Sequence, residues 1–158
     1  MALTLKKYFI AFVAAFFMLP VNCHASVPDS EVSLGGIYYG ASMQYVQDVY
    51  GRPDKRSVTY EHALWRGEVA TWKYGDSIVV IFSDKKVIHV GISANNGFAT
   101  PAGVIVGMPY TVPQRLYGTP DLHASTYMFY HVSDSEYRGV RFSLKNGVIT
   151  TIDIGEFD

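Results

Sequence analysis

Two apolar patterns alternate along this chain, one with a helical period and one with the two-residue period of strands. Met43, Val46, Val49 and Tyr50 fall at i, i+3, i+6 and i+7, a single stripe along a short helix. Ser42 stands where a capping hydroxyl is wanted, Gly51 suits a left-handed C-terminal position, and Pro53 forbids continuation. Strand-like runs follow at 63–74, 77–83 and 87–93, rich in β-branched and aromatic residues such as Ile78-Val79-Val80-Ile81-Phe82. A second helix is expected to be capped near Thr111, with Pro113 tolerated in its first turn. Strands at 126–132, 137–144 and 148–154 come after it, and Lys145-Asn146-Gly147 marks a hairpin between the last two.

The order of these elements is written twice. Tyr50-Gly51-Arg52-Pro53-Asp54 returns as Tyr117-Gly118-Thr119-Pro120-Asp121, and Gly40 returns as Gly107, each pair 67 positions apart. Gly40, Gly51, Pro53, Gly107, Gly118 and Pro120 are therefore the structural marks of a repeated unit. The expected fold is α+β, a tandem repeat of two αβββ units whose helices pack on one face of an antiparallel sheet. Residues 35–98 form the first unit and 99–158 the second, in one compact domain, with 26–34 a flexible polar leader.

Residues 1–25 read as a secretory signal. Lys6 and Lys7 precede an apolar run from Tyr8 to Leu19, and Cys23-His24-Ala25 places small residues for cleavage before Ser26. Lipid attachment at Cys23 is the alternative, although Asn22 is not the small residue usually found before a modified cysteine. Cleavage after Ala25 leaves no cysteine, so stability rests on the core alone. Of 13 basic residues Lys6 and Lys7 are removed, leaving 11 against 14 acidic. That weak acidity, spread without runs, argues against nucleic acid as a partner, and no further stretch has membrane-spanning length. The chain is expected in the periplasm or outside the cell.

An apolar residue, a glycine, a capped short helix and a closing Tyr-Gly-x-Pro resemble the repeat of the β-lactamase-inhibitor-protein-like fold. Gly40-Ala41-Ser42 through Tyr50-Gly51-Arg52-Pro53, and Gly107 through Tyr117-Gly118-Thr119-Pro120, carry the likeness. The SmpA/OmlA group of outer-membrane assembly lipoproteins shares that fold, usually as a single unit. The resemblance implies a protein that binds other proteins. Pro109 and Pro113, and the absence of a disulfide pair, depart from the inhibitor branch.

Candidate chemistry is sparse. His62, His89, His123 and His131 lack any helical ligand spacing, and the carboxylates are scattered, Glu61 and Glu68 around Trp65 and Asp134 with Glu136 in one turn. No Gly-x-Ser-x-Gly elbow or phosphate-cradling loop occurs. No catalytic, metal or cofactor-binding residue is assigned, and an enzyme is not expected. Aromatic residues make up 15% of the chain and concentrate in the strands, enough to build both a core and a contact surface. Trp65, Trp72, Tyr74, Tyr130 and Tyr137 are the expected protein-binding residues, exposed on an open sheet face with arginines between them. The function expected is an exported protein-binding or inhibitory module, its partner and oligomeric state left open. A cell-envelope assembly factor and a small-ligand or glycan binder are the alternatives.

Overall fold

The structure, a computed structural model, describes residues 26–61 and 66–157 of the chain. The predicted signal segment, Cys23, His62 and Trp65 lie outside the described residues. A 3-10 turn at Asp29–Glu31 leads into a small hairpin, β1 (Ser33–Leu34) and β2 (Ile37–Tyr38). Helix α1 (Met43–Tyr50) is followed by β3 (Lys55–Glu61), β4 (Arg66–Tyr74), β5 (Ile78–Ser83) and β6 (Lys86–Ile92). Helix α2 (Thr111–Tyr117) is followed by β7 (Leu122–His123), β8 (Tyr127–Val132), β9 (Ser135–Lys145) and β10 (Val148–Glu156). One eight-stranded antiparallel sheet, ordered β3-β4-β5-β6-β10-β9-β8-β7, takes in all but the first hairpin. Its two halves meet where Ile92 pairs with Ile152 and Val90 with Ile154.

This corrects the expected architecture. The described chain is mostly strand, and it does not consist of two αβββ units with helices covering a sheet face. Each helix is followed by four strands rather than three. The outermost ones, β3 and β7, carry so few apolar residues that the hydrophobic pattern reads them as turns. The helices are also too small for a covering layer. At 1.5 Å per residue the eight residues of α1 span about 12 Å, against about 34 Å across eight strands. Only Val46 of α1, and Pro113 and Tyr117 of α2, are buried. Loops and the first hairpin do most of the covering: Val27, Val32, Leu34, Ile37, Ala41, Val104 and Val106 are all in the core with the inner sheet face.

The N-terminal stretch is part of that cover, which corrects its reading as a flexible leader. Val27 is 2% exposed and its N–H donates to the His131 carbonyl at 2.8 Å. Arg138 Nη2 donates to Asp29 Oδ1 at 2.9 Å, and the Tyr117 hydroxyl donates to Glu31 Oε2 at 2.8 Å. Residues 26–34 are polar in composition because their charged side chains reach back to the domain.

The two helix stops make matching contacts. Ser42 Oγ accepts the Tyr45 N–H at 3.1 Å, as its capping position predicts. Helix α2 has no side-chain cap. It begins at Thr111 after the αR residue Tyr110, with Pro113 in its first turn. Gly51 (φ 77°, ψ −157°) and Gly118 (φ 84°, ψ −153°) lie beyond the left-handed helical region, in backbone space that is essentially glycine's alone. The Tyr74 hydroxyl donates to the Gly51 carbonyl and the Tyr130 hydroxyl to that of Gly118, both at 3.2 Å. Asp54 Oδ2 accepts the Gly75 N–H at 2.6 Å, and Asp121 Oδ2 accepts the His131 N–H at 2.7 Å.

Tyrosines lock the helices and loops to the sheet, and burial of their rings has a pH consequence. Burial, helped by a hydrogen bond to Glu156, pushes Tyr39 up from 10.0 to about 12. Burial first of all pushes Tyr50, Tyr117 and Tyr130 higher still. The folded chain holds these protons more tightly than the unfolded one. Their stabilisation is complete below pH about 10 and is lost as pH rises from there through the folded values. Urea midpoints should therefore fall steadily above pH 10, and Tyr50→Phe should flatten the fall. A midpoint constant to pH 12 would contradict the burial of these hydroxyls.

Candidate binding surface

Alternation along the strands sorts side chains by parity. Even-numbered Trp72, Val80, Phe82, Val90, Ile92, Met128, Tyr130, Val140, Phe142, Ile152 and Ile154 are all in the core. Register then places odd-numbered neighbours together on the opposite, open face. One row runs Phe129, Arg141, Asp153, Gly91 and Val79; the next runs His131, Gly139, Gly155, His89 and Ile81. Polar and aromatic chemistry gathers on the half built by β6, β10, β9 and β8. The half built by β3 to β5 carries mainly Lys55, Ser57, Thr59, Thr71, Val79 and Ile81.

At the centre of this face Asp153 is 8% exposed. Its Oδ1 lies 3.2 Å from His89 Nε2, and its Oδ2 lies 3.7 Å from Arg141 Nη2. Glycine at position 91 makes this pair possible, since a Cβ there would sit 2.7 Å from Asp153 Oδ1. Phe157 continues the ladder beyond β10, its N–H donating to the Tyr137 carbonyl at 2.7 Å. Its ring packs edge-on against Phe129 at 4.9 Å and His89 at 5.6 Å, with the Arg141 guanidinium 4.6 Å from its centre. A second histidine–carboxylate pair flanks the group, His131 Nδ1 lying 3.5 Å from Asp121 Oδ2.

Leu122, Tyr127, Phe129, His131, Glu136, Tyr137, Arg141 and Phe157 line an open cavity of about 440 Å³. Its walls are aromatic and its few charges are Arg141 and Glu136, with a histidine at one side. Tyr137 is 65% exposed, Leu122 48% and Tyr127 37%, so the rim presents rings and an aliphatic side chain to solvent. Among the described residues no group of three or more His, Cys, Asp or Glu is placed to hold a metal ion.

The predicted contact residues divide between the two faces. Tyr137 lies on the open face at the cavity rim. Trp72 is 6% exposed and packs with its ring tilted against Phe82 at 4.8 Å, and Tyr130 is wholly buried against Tyr117 and Phe142. Tyr74 packs edge-on against Tyr50 at 5.3 Å, on the same inner side. The expected exposure of Trp72 and Tyr130 is thereby corrected. Their even positions fall on the face that the loops and helices cover. Missing from the predicted set are Tyr127, Phe129, Asp153 and Phe157. The spacing of Tyr127 and Phe129 marks them as neighbours on one face, whereas nothing local distinguishes the Asp153 carboxylate from a turn residue.

No family model matches the chain, and no curated protein matches it. Two solved structures are similar to it. One is an extracellular protein containing an SCP domain from Bacillus anthracis str. Ames, at 11% identity and a TM-score of 0.51. That alignment covers 75% of this chain but 44% of the other, so the chain corresponds to under half of that protein. The other is a candidate β-lactamase inhibitor protein from Streptococcus mutans, at 15% identity and a TM-score of 0.33 over 72% of this chain and 81% of that one. The first likeness is one of fold alone, and the second is too weak to carry an argument. Neither bears on the SmpA/OmlA resemblance.

Proposed function

We propose that the chain is an exported binding module, not an enzyme, that engages a protein partner through the open sheet face around Tyr137, Tyr127 and Arg141. The observation that carries this reading is the cavity. Exposed rings surround a few placed charges, on strands held rigid by the core behind them. Tyrosine and arginine offer large contact area at small entropic cost and are enriched where interfaces concentrate their energy. The signal-like layout of residues 1–25 supports export, and the fold likeness to an extracellular protein is compatible with it. No helix among the described residues is long and apolar enough to cross a membrane. The cavity's size also favours a second reading, a small aromatic or glycan ligand, since about 300–1,000 Å³ is usual for such sites.

The test is capture from secreted and envelope fractions by the immobilised wild type, by a Tyr137→Ala, Arg141→Ala double variant, and by Leu116→Ala on α2. Losing two interface anchors should weaken capture by roughly thirtyfold or more, about 2 kcal/mol, while Leu116→Ala changes nothing. A captured protein retained equally by the double variant would overturn the open-face reading. Saturable binding of a purified aromatic compound or oligosaccharide, lost in the double variant, would establish the second reading instead.

A further inference from the structure

The eight-stranded sheet ends on two unlike edges. On one side β7 is two residues long; on the other β3 runs for seven, Lys55–Glu61. Every residue from Lys55 to Tyr60 is exposed, including Val58 at 50% and Tyr60 at 72%. Such an edge offers its outer row of backbone N–H and C=O groups to another strand, and folds usually blunt it with charged side chains, proline, bulges or shortness; the positive charges of β3, Lys55 and Arg56, lie at one end of the strand. β3 contains no proline, and its one irregularity lies at the far end, between Thr59 and Glu61.

The strand's own sequence points to the occupant. Read antiparallel to itself about Val58, Lys55-Arg56-Ser57-Val58-Thr59-Tyr60-Glu61 is self-complementary. Val58 meets Val58, Ser57 meets Thr59, Arg56 meets Tyr60, and Lys55 meets Glu61 of the second copy. These are β-branched, hydroxyl, cation–ring and ion pairs, each of a kind that stabilises neighbouring strands. Parallel pairing in the same register would instead set Lys55 on Lys55 and Arg56 on Arg56. Arg56 is held within its own chain, its guanidinium 4.7 Å from the Trp72 ring centre and its Nη2 donating to Gln47 Oε1 at 3.3 Å.

We propose that β3 pairs antiparallel with β3 of a second copy of this chain, joining two sheets into one continuous sheet across a two-fold axis at Val58. Such an axis stands perpendicular to the sheet, so both open faces look the same way. A partner with two matching sites would then bind by avidity.

A cysteine at Val58 would face its own symmetry mate. In a chain carrying Cys23→Ser, so that the introduced thiol stands alone, Val58→Cys should form a disulfide-linked dimer on mild oxidation. Val148→Cys, on the exposed β9–β10 hairpin, should not. Sedimentation should show a dimer that Lys55→Glu weakens about tenfold, because two attractive cross-strand pairs become repulsive. Lys55→Glu combined with Glu61→Lys should restore it, a rescue that a folding defect would not show. A monomer at every concentration would overturn the proposal. So would a dimer that neither cross-links through Val58→Cys nor responds to the charge swap.

Discussion

Gly155→Ala is expected to remove about 3–5 kcal/mol of stability, from two costs that act together. Gly155 has a φ of 125°, outside the space that side-chain-bearing residues adopt. An added Cβ would also land on the Ile88 carbonyl oxygen and lie 2.8 Å from the His89 Cα. Neither neighbour is a flexible side-chain tip. Both belong to the backbone of β6, paired to β10 at the centre of the sheet, and the strand cannot withdraw without breaking that join. Across the ladder Gly139 pairs with Gly155 and shares the close approach but not the positive φ, since a Cβ there would sit 2.9 Å from the Tyr130 carbonyl carbon. Gly51→Ala is the control. It has φ 77° but no heavy atom within 4 Å of an added Cβ, so only backbone strain of about 1–3 kcal/mol applies. Urea unfolding of the three proteins should rank wild type above Gly51→Ala above Gly155→Ala. Because domains are stable by only about 5–15 kcal/mol, Gly155→Ala should forfeit a large share of the total. Equal midpoints for the two variants would refute the close approach of β6 to β10.

Tyr130→Ala is expected to cost a further kind of energy, and Tyr137→Ala almost none. The Tyr130 ring is wholly buried, 5.3 Å from the Tyr117 ring and 6.0 Å from that of Phe142. Truncating a buried aromatic ring typically loses about 3–5 kcal/mol, as burial and contact energy together with the cavity left behind. Tyr130→Phe isolates the hydroxyl's bond to the Gly118 carbonyl and should lose only about 1 kcal/mol. Tyr137 is 65% exposed, so its truncation should change stability by no more than about 0.5 kcal/mol while reducing partner capture. Thermal melting read alongside capture separates the two residues. If Tyr130→Ala melted like the wild type and lost binding, the division of aromatics between core and surface would be wrong.

That division was half legible in the chain. The spacing of Trp72 with Tyr74, and of Tyr127 with Phe129, states that each pair shares a face. It does not state which face is covered. For Trp72 and Tyr74 the answer is the covered face; for Tyr127 and Phe129 it is the open one. Asp153 shows the same limit in another form. Its partners His89 and Arg141 come from neighbouring strands, 64 residues away in the case of His89, so no local pattern announces the cluster. β3 was hidden for a third reason. A strand paired on one side and exposed on both faces has no need of apolar residues, and the apolar pattern is the signal by which strands are found.

By itself the sequence determined the local punctuation. It set the capped start of α1 at Ser42, the late start of α2 around Pro113, the stops at Gly51-Arg52-Pro53 and Gly118-Thr119-Pro120, and the shared faces of Trp72 with Tyr74 and of Tyr127 with Phe129. These depend on backbone sterics and on hydrogen bonds between residues a few positions apart, so the residues concerned carry the information themselves. Tertiary structure alone decided how many strands the sheet holds, which of its faces is buried, and that residues 26–34 help to bury it. The cover is made by Leu34, Ile37, Val104 and Val106, which pack across the sheet against residues distant in the chain. Period-two alternation is symmetric between the two sides of a strand, and only long-range packing breaks that symmetry.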